Sequence, residues 1–178
     1  IVNKFFHDSY TLNQNACNSP HIVFWLGKNS NLIENFWNTL SLLIEKNEYF
    51  EYKPILEKFD FALQKISQLK IKNIKNFKNN VYVAENFDSK ELENIRGING
   101  IFFQKKISNL GQIKKYVNKK CQTVSYLGIS KRNFKSLLAD TSIEGIDRIV
   151  PIGKSLNISF DWDGYDMIKS LSRIVTIE

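Results

Sequence analysis

Apolar positions along the chain switch between two periodicities, and the switches outline an alternation of strands and helices. His21-Ile22-Val23-Phe24-Trp25-Leu26 is a short β-branched and aromatic run bounded by Pro20 and Gly27, the pattern of a buried strand. A helix is predicted next, since Asn29 or Ser30 can cap it and Leu32, Ile33, Phe36, Leu40, Leu43 and Ile44 recur at spacings of three and four through Glu48. Pro54 then suits a first helical turn, with Ile55, Phe59, Ala62, Leu63 and Ile66 marking a second helical face. Downstream the rhythm persists, with strands predicted over 80–85, 100–107, 121–127, 148–152 and 174–177 and helices over 89–95, 111–118, 130–139 and 165–172. This order predicts an α/β fold, a mostly parallel sheet flanked by helices. Neither an internal repeat nor a linker divides residues 1–178.

Composition narrows the classes. The chain has 178 residues, 43% of them hydrophobic, with 8 Gly, 3 Pro and 2 Cys, which excludes disorder, a collagen-like repeat and a disulfide scaffold. Its apolar runs, such as 22–26 and 40–44, are far shorter than the roughly 20 residues of a membrane span. The expectation is a soluble, cytoplasmic protein with reduced thiols and no zinc site. Starting at Ile1, without a signal peptide, the chain reads as a piece excised from something longer.

A net charge of +7 invites a nucleic-acid partner. The excess is lysine, however, 21 Lys against 4 Arg beside 22 Ile and 20 Asn, the mixture an A/T-rich coding sequence produces without selection for a polyanion. The most basic stretch, 69–78, interleaves Lys with apolar residues and contains no Arg for base contacts. It is expected to lay lysine stems over the edge of the core, and no nucleic-acid partner is expected.

Candidate chemistry centres on Cys17, in the polar turn Asn13-Gln14-Asn15-Ala16-Cys17-Asn18-Ser19-Pro20 just before the first strand. A structural cysteine prefers apolar company, whereas amides and hydroxyls can orient a thiol and serve a developing oxyanion. Asn13 and Gln14 are supporting candidates. His7 and His21 are the only imidazoles; His7 can return towards Cys17 across a turn, and His21 suits a hydrogen-bonded structural role. Cys121 is assigned to packing. No GxSxG elbow, P-loop or GxGxxG is present. Asp161, Asp163 and Asp166 could hold a metal, but Gly164 suits a turn into a helix with Asp163 or Asp166 at its positive N-terminal end, and this capping reading is preferred because the spaced oxygen pattern of a calcium loop is absent. Gly153 ends a strand or allows a close approach. On the residues alone Cys17 is either a nucleophile or incidental to a non-catalytic α/β binding or assembly domain.

Two segments together carry a resemblance. Asp8-Ser9-Tyr10-Thr11-Leu12-Asn13-Gln14-Asn15-Ala16-Cys17-Asn18-Ser19-Pro20-His21 resembles the nucleophile region of bacterial acyl-CoA reductases, the fatty-acid reductase family of the luminescence system. Gly145-Ile146-Asp147-Arg148-Ile149-Val150-Pro151-Ile152-Gly153-Lys154, with Trp162-Asp163-Gly164-Tyr165-Asp166 and Leu171-Ser172-Arg173, resembles the carboxyl-terminal end of the same family. The resemblance implies an aldehyde-dehydrogenase-like catalytic domain spanning 1–178, with a cofactor-binding domain upstream of Ile1. It implies Cys17 as nucleophile, with backbone N–H groups at Asn18 and Ser19 polarising the carbonyl. It also implies NADPH as hydride donor with no metal, and a fatty acyl-CoA or acyl carrier protein thioester as substrate. A homo-oligomer or a complex with other fatty-acid-reductase components fits the same resemblance. Asn18 departs from it, since a small hydroxyl residue is expected there.

Overall fold

The computed structural model describes residues 1–27, 29–47, 56, 59–61, 63–64, 67–68, 71, 73–85, 87, 96–139 and 143–177. Four strands, β1 (Ile22–Leu26), β2 (Asn73–Phe77), β3 (Val81–Glu85) and β4 (Ile101–Ile107), form one sheet in the order β1-β4-β3-β2. β4 pairs parallel with both β1 and β3, and β2 returns antiparallel against β3. A second, two-stranded parallel sheet joins β5 (Thr123–Tyr126) to β6 (Arg148–Pro151). Helices α1 (Val2–Tyr10) and α2 (Ser30–Lys46) cover one face of the larger sheet. A 3-10 helix (Leu110–Tyr116) and α3 (Lys131–Leu138) pack with β5 and β6 against the other.

The two-residue period of the strands sorts the core. Val23 and Trp25 of β1, Val81 and Val83 of β3, and Phe102 of β4 meet the helices, where Phe5, Trp37, Leu40 and Ile44 are buried. Phe103 and Ala84 face the other way, onto Ile71 and Phe87, and Phe24 joins Ile107, Ile113, Phe134 and Leu137. Gln104, on the helix-facing side of β4, is buried because its Oε1 accepts both indole N–H groups, from Trp25 and from Trp37, each at 2.8 Å. Its Nε2 donates to Glu85 at 2.5 Å.

The predicted α/β architecture is present, with several local differences. Helix α2 is capped by Asn29, whose side chain accepts the Leu32 N–H, but Leu32 itself is exposed, and Trp37, outside the expected face, is fully buried beside Leu40. The predicted helix over 111–118 is a 3-10 helix. Cys121 precedes β5 instead of opening it. The basic stretch contributes β2, with Lys75 reaching Glu85 at 4.0 Å. Tyr165 and Asp166 form β8, paired with β7 (Asp161–Trp162), and only α4 (Met167–Leu171) is helical. No strand forms over 174–177, where Ile174 and Ile177 are 96% and 93% exposed; without a neighbour to pair with, apolar alternation alone does not make a strand. The helical face expected from Pro54 falls only partly within the described residues, of which 56, 59–61, 63–64 and 67–68 are helical. The helix predicted over 89–95 lies outside the described residues.

Candidate active site

Helix α1 ends by reversing its backbone. Asn13 and Gln14 adopt positive φ of 49° and 61°, a left-handed conformation that asparagine tolerates and glutamine ordinarily avoids. What holds Gln14 there is its fully buried side chain. Nε2 donates to the carbonyls of Pro20 at 2.9 Å and Ile101 at 3.0 Å, and Oε1 accepts the Gly100 N–H at 3.0 Å. The loop carrying Cys17 is thereby tied to the start of the central strand. Gly97 and Arg96 close over it. A Cβ on Gly97 would lie 1.8 Å from the Ile101 carbonyl oxygen, and Arg96 donates to the Asn15 carbonyl at 3.0 Å.

Between Gln14 and β1 the chain makes a turn in which the Ser19 N–H donates to the Ala16 carbonyl at 3.1 Å, leaving Cys17 and Asn18 as its two central residues. Cys17 is exposed with a free thiol. The backbone N–H groups of Cys17 and Asn18 make no hydrogen bond among the described residues, whereas that of Ser19 is committed to the turn. Of the two oxyanion donors expected from sequence, only Asn18 therefore keeps its N–H available. The Asn18 side chain is also occupied: Nδ2 donates to the Ser155 carbonyl at 2.5 Å.

That contact lies beside a junction of the two segments on which the family resemblance rests, where Asp8 meets Gly153. Beyond β6 the backbone turns at Gly153, φ +88°, with the Lys4 side chain against it. The fully buried Asp8 carboxylate accepts the N–H groups of Gly153 at 2.6 Å and Ser155 at 3.0 Å. Arg148 donates to the carbonyls of Ser155 at 2.8 Å, Lys154 at 3.2 Å and Asn157, and its guanidinium stacks 5.0 Å from the Trp162 ring centre. The close approach at Gly153 is thus to α1, within the protein.

Other candidates fall outside this arrangement. His7 is exposed, with Nδ1 3.1 Å from the Thr11 hydroxyl, and no hydrogen bond among the described residues joins it to Cys17. His21 is half-buried; its Nδ1 has no partner among the described residues, while a backbone hydrogen bond at Gly97 gives the ring the hydrogen-bonded role expected of it. Burial, reinforced by the Arg96 charge, pushes its pKa down to about 4. Cys121 packs with its thiol 3.7 Å from the Tyr116 carbonyl. Asp166 caps α4 by accepting the Lys169 N–H, as its position predicts. A cleft of about 440 Å³ lined by Asp147, Arg148, Asp161, Asp163 and Asp166 is acidic, but no three ligating side chains among the described residues are placed to hold a metal.

Nor does the connection between β1 and α2 fit a dinucleotide. Its pyrophosphate would need a glycine-rich strand-to-helix turn opening onto free helix N–H groups. The β1-to-α2 connection has Gly27 alone, its helix start is capped by Asn29, and Lys106 holds the Ser30 hydroxyl at 2.8 Å.

Asp8 and Arg148 were not legible as site residues. Asp8 had two weak signals: a carboxylate in the last turn of a helix opposes the helix dipole, and Asp8 follows the apolar Phe5 at a spacing of three. Comparison with known families matches residues 1–176 to the family described as acyl-CoA reductase (LuxC). No curated protein matches the sequence.

Proposed function

Because this chain belongs to the acyl-CoA reductase (LuxC) family, whose activity is fatty acyl reduction, we propose that its contribution is acyl transfer to Cys17. In this reading the Cys17 thiolate attacks the carbonyl carbon of a fatty acyl thioester. The bond from that carbon to the donor sulfur breaks, coenzyme A or a carrier-protein thiol departs and takes up a proton, and the acyl group remains on Cys17 as a thioester. The observation that carries the reading is the turn itself: an exposed thiol at its centre, flanked by the uncommitted N–H groups of Cys17 and Asn18, where donors can meet the carbonyl oxygen as it gains charge. Gln14 and Asn13 support the turn from beneath by fixing the reversal that presents it.

The acyl-enzyme is then reduced to the fatty aldehyde with NADPH as the source of reducing equivalents. The connection between β1 and α2 offers it no glycine-rich cradle, and in this reading its binding falls to a separate cofactor-binding domain. Residues 1–178 serve as the aldehyde-dehydrogenase-like catalytic portion, working in the cytoplasm.

Intact-mass spectrometry after incubation with a long-chain acyl-CoA tests the reading, on this chain and on the protein at its natural length. The expected result is one acyl adduct that hydroxylamine removes and that Cys17→Ala abolishes. An adduct that survives in Cys17→Ala, or none on either form, overturns it.

A further inference from the structure

We propose that Asp8 is a positioning residue for the acyl transfer, acting through the 153–155 loop and Asn18 on Cys17; the inference rests on the assignment of Cys17 as nucleophile. A carboxylate with no exposure is costly to keep in a fold unless its surroundings satisfy it. Asp8 is satisfied by backbone N–H donors, those of Gly153 and Ser155. Two such bonds, one on each oxygen, set both the position and the tilt of the loop they grip. The consequence appears on the loop's other side. There the Ser155 carbonyl is fixed where it receives the Asn18 amide at 2.5 Å and Arg148 at 2.8 Å. Asn18 follows Cys17 directly, so this contact restrains the half of the turn that carries the thiol and the N–H intended for the oxyanion.

The relay links positions 8, 155 and 18, and each link is a hydrogen bond with a defined donor. It also gives Asn18 a task that a small hydroxyl residue there could not perform, because only a longer side chain with an N–H donor spans the gap to the Ser155 carbonyl. Gly153 belongs to the same device. Its φ of +88° and the Lys4 side chain, 2.9 Å from where a Cβ would stand, bring the loop close enough for Asp8 to grip.

The test measures single-turnover acylation by a long-chain acyl-CoA in the protein at its natural length, comparing Asp8→Asn, Asn18→Ala and the double variant, with Cys17→Ala alongside. Asp8→Asn keeps the size of the side chain but turns one acceptor into a donor facing an N–H. Each single variant is expected to acylate about tenfold or more slowly at saturating acyl-CoA, with the half-saturating concentration changed by less than about threefold, since misplacement of the reacting group affects the step and not the encounter. The double variant is expected to be no slower than the slower single one, because both remove the same relay. Asn18 is only half-buried, in a loop outside the core, so Asn18→Ala decides the matter even if Asp8→Asn does not fold. Acylation of Asn18→Ala at the unsubstituted rate, or single effects that multiply in the double variant, overturns the positioning role while leaving Cys17 as nucleophile. An adduct that persists in Cys17→Ala, or no adduct on the unsubstituted protein, overturns the nucleophile and the relay together.

Discussion

At the residue scale, burial makes His21 a liability in acid. Its pKa falls from 6.5 to about 4, first because the ring is removed from water and second because Arg96 is nearby, while a backbone hydrogen bond at Gly97 opposes the shift in part. The native state therefore binds fewer protons than the unfolded chain between these values, so stability is whole above pH 6.5 and is lost as pH falls towards 4. The loss from this group is at most about 3 kcal/mol, the equivalent of the shift, reduced by the water that still reaches a half-buried ring. Urea unfolding at pH 7 and pH 4.5 should show a smaller drop in His21→Gln than in the unsubstituted protein; equal drops would mean that the shift is absent. Sequence placed His21 at the start of a strand, and it lies one residue before β1; its charge state depends on burial and on Arg96, which is 75 positions away along the chain. Gln14 was legible only as a polar neighbour of Cys17. Its two buried hydrogen bonds require the carbonyl of Ile101 and the N–H of Gly100, groups that no local pattern reveals.

At the element scale, β1, β3, β4, β5, β6 and α2 were readable because their apolar periodicities are strong, whereas β2 and α1 were not expected. Ile22–Leu26, Val81–Glu85, Ile101–Ile107 and Thr123–Tyr126 each lie within a stretch expected to be a strand. Where tertiary partners decide, the reading failed. Tyr165 and Asp166 went into a hairpin, and 174–177 found no neighbour. Gln104 shows how an element is fastened once formed. In the middle of a strand whose neighbouring positions are Phe103 and Lys105, its carbonyl oxygen satisfies two tryptophans that would otherwise bury unpaired N–H groups. Gln104→Leu keeps the side chain's bulk but leaves both indoles unpaired, and should cost about 2–4 kcal/mol in urea unfolding, more than a typical surface change. A cost below about 1 kcal/mol would show that water reaches the indoles instead.

On the scale of the whole molecule, α1 and the segment after β6 are held together by Asp8, Asn18 and Lys4, so residues 145 positions apart share one loop contact. The stretch beyond α4 plays no part in this. Residues 173–177 are exposed and belong to no element. Deleting residues 173–178 should therefore leave thermal stability within about 0.5 kcal/mol of the unsubstituted protein, measured by calorimetry; a larger loss would mean that this stretch packs where its exposure says it does not. Among the described residues no helix is long and apolar enough to cross a membrane, in keeping with the shortness of the apolar runs.

The sequence by itself determined the α/β class, most strand positions, the cap of each of two helices to within a pair of residues, and the family through its two separated segments. These depend on periodicity, on side chains acting within a turn of where they stand, and on the order of motifs, all of which are local or one-dimensional. Only the tertiary structure decided that those two segments touch, that Ser19 spends its N–H within the turn, that Asp8 grips Gly153 and Ser155, and that Asn18 reaches Ser155. The physical reason is that a hydrogen bond between distant positions leaves no periodic trace: its donor and acceptor are brought together by packing of the core between them, and the pairing exists only once the chain has folded.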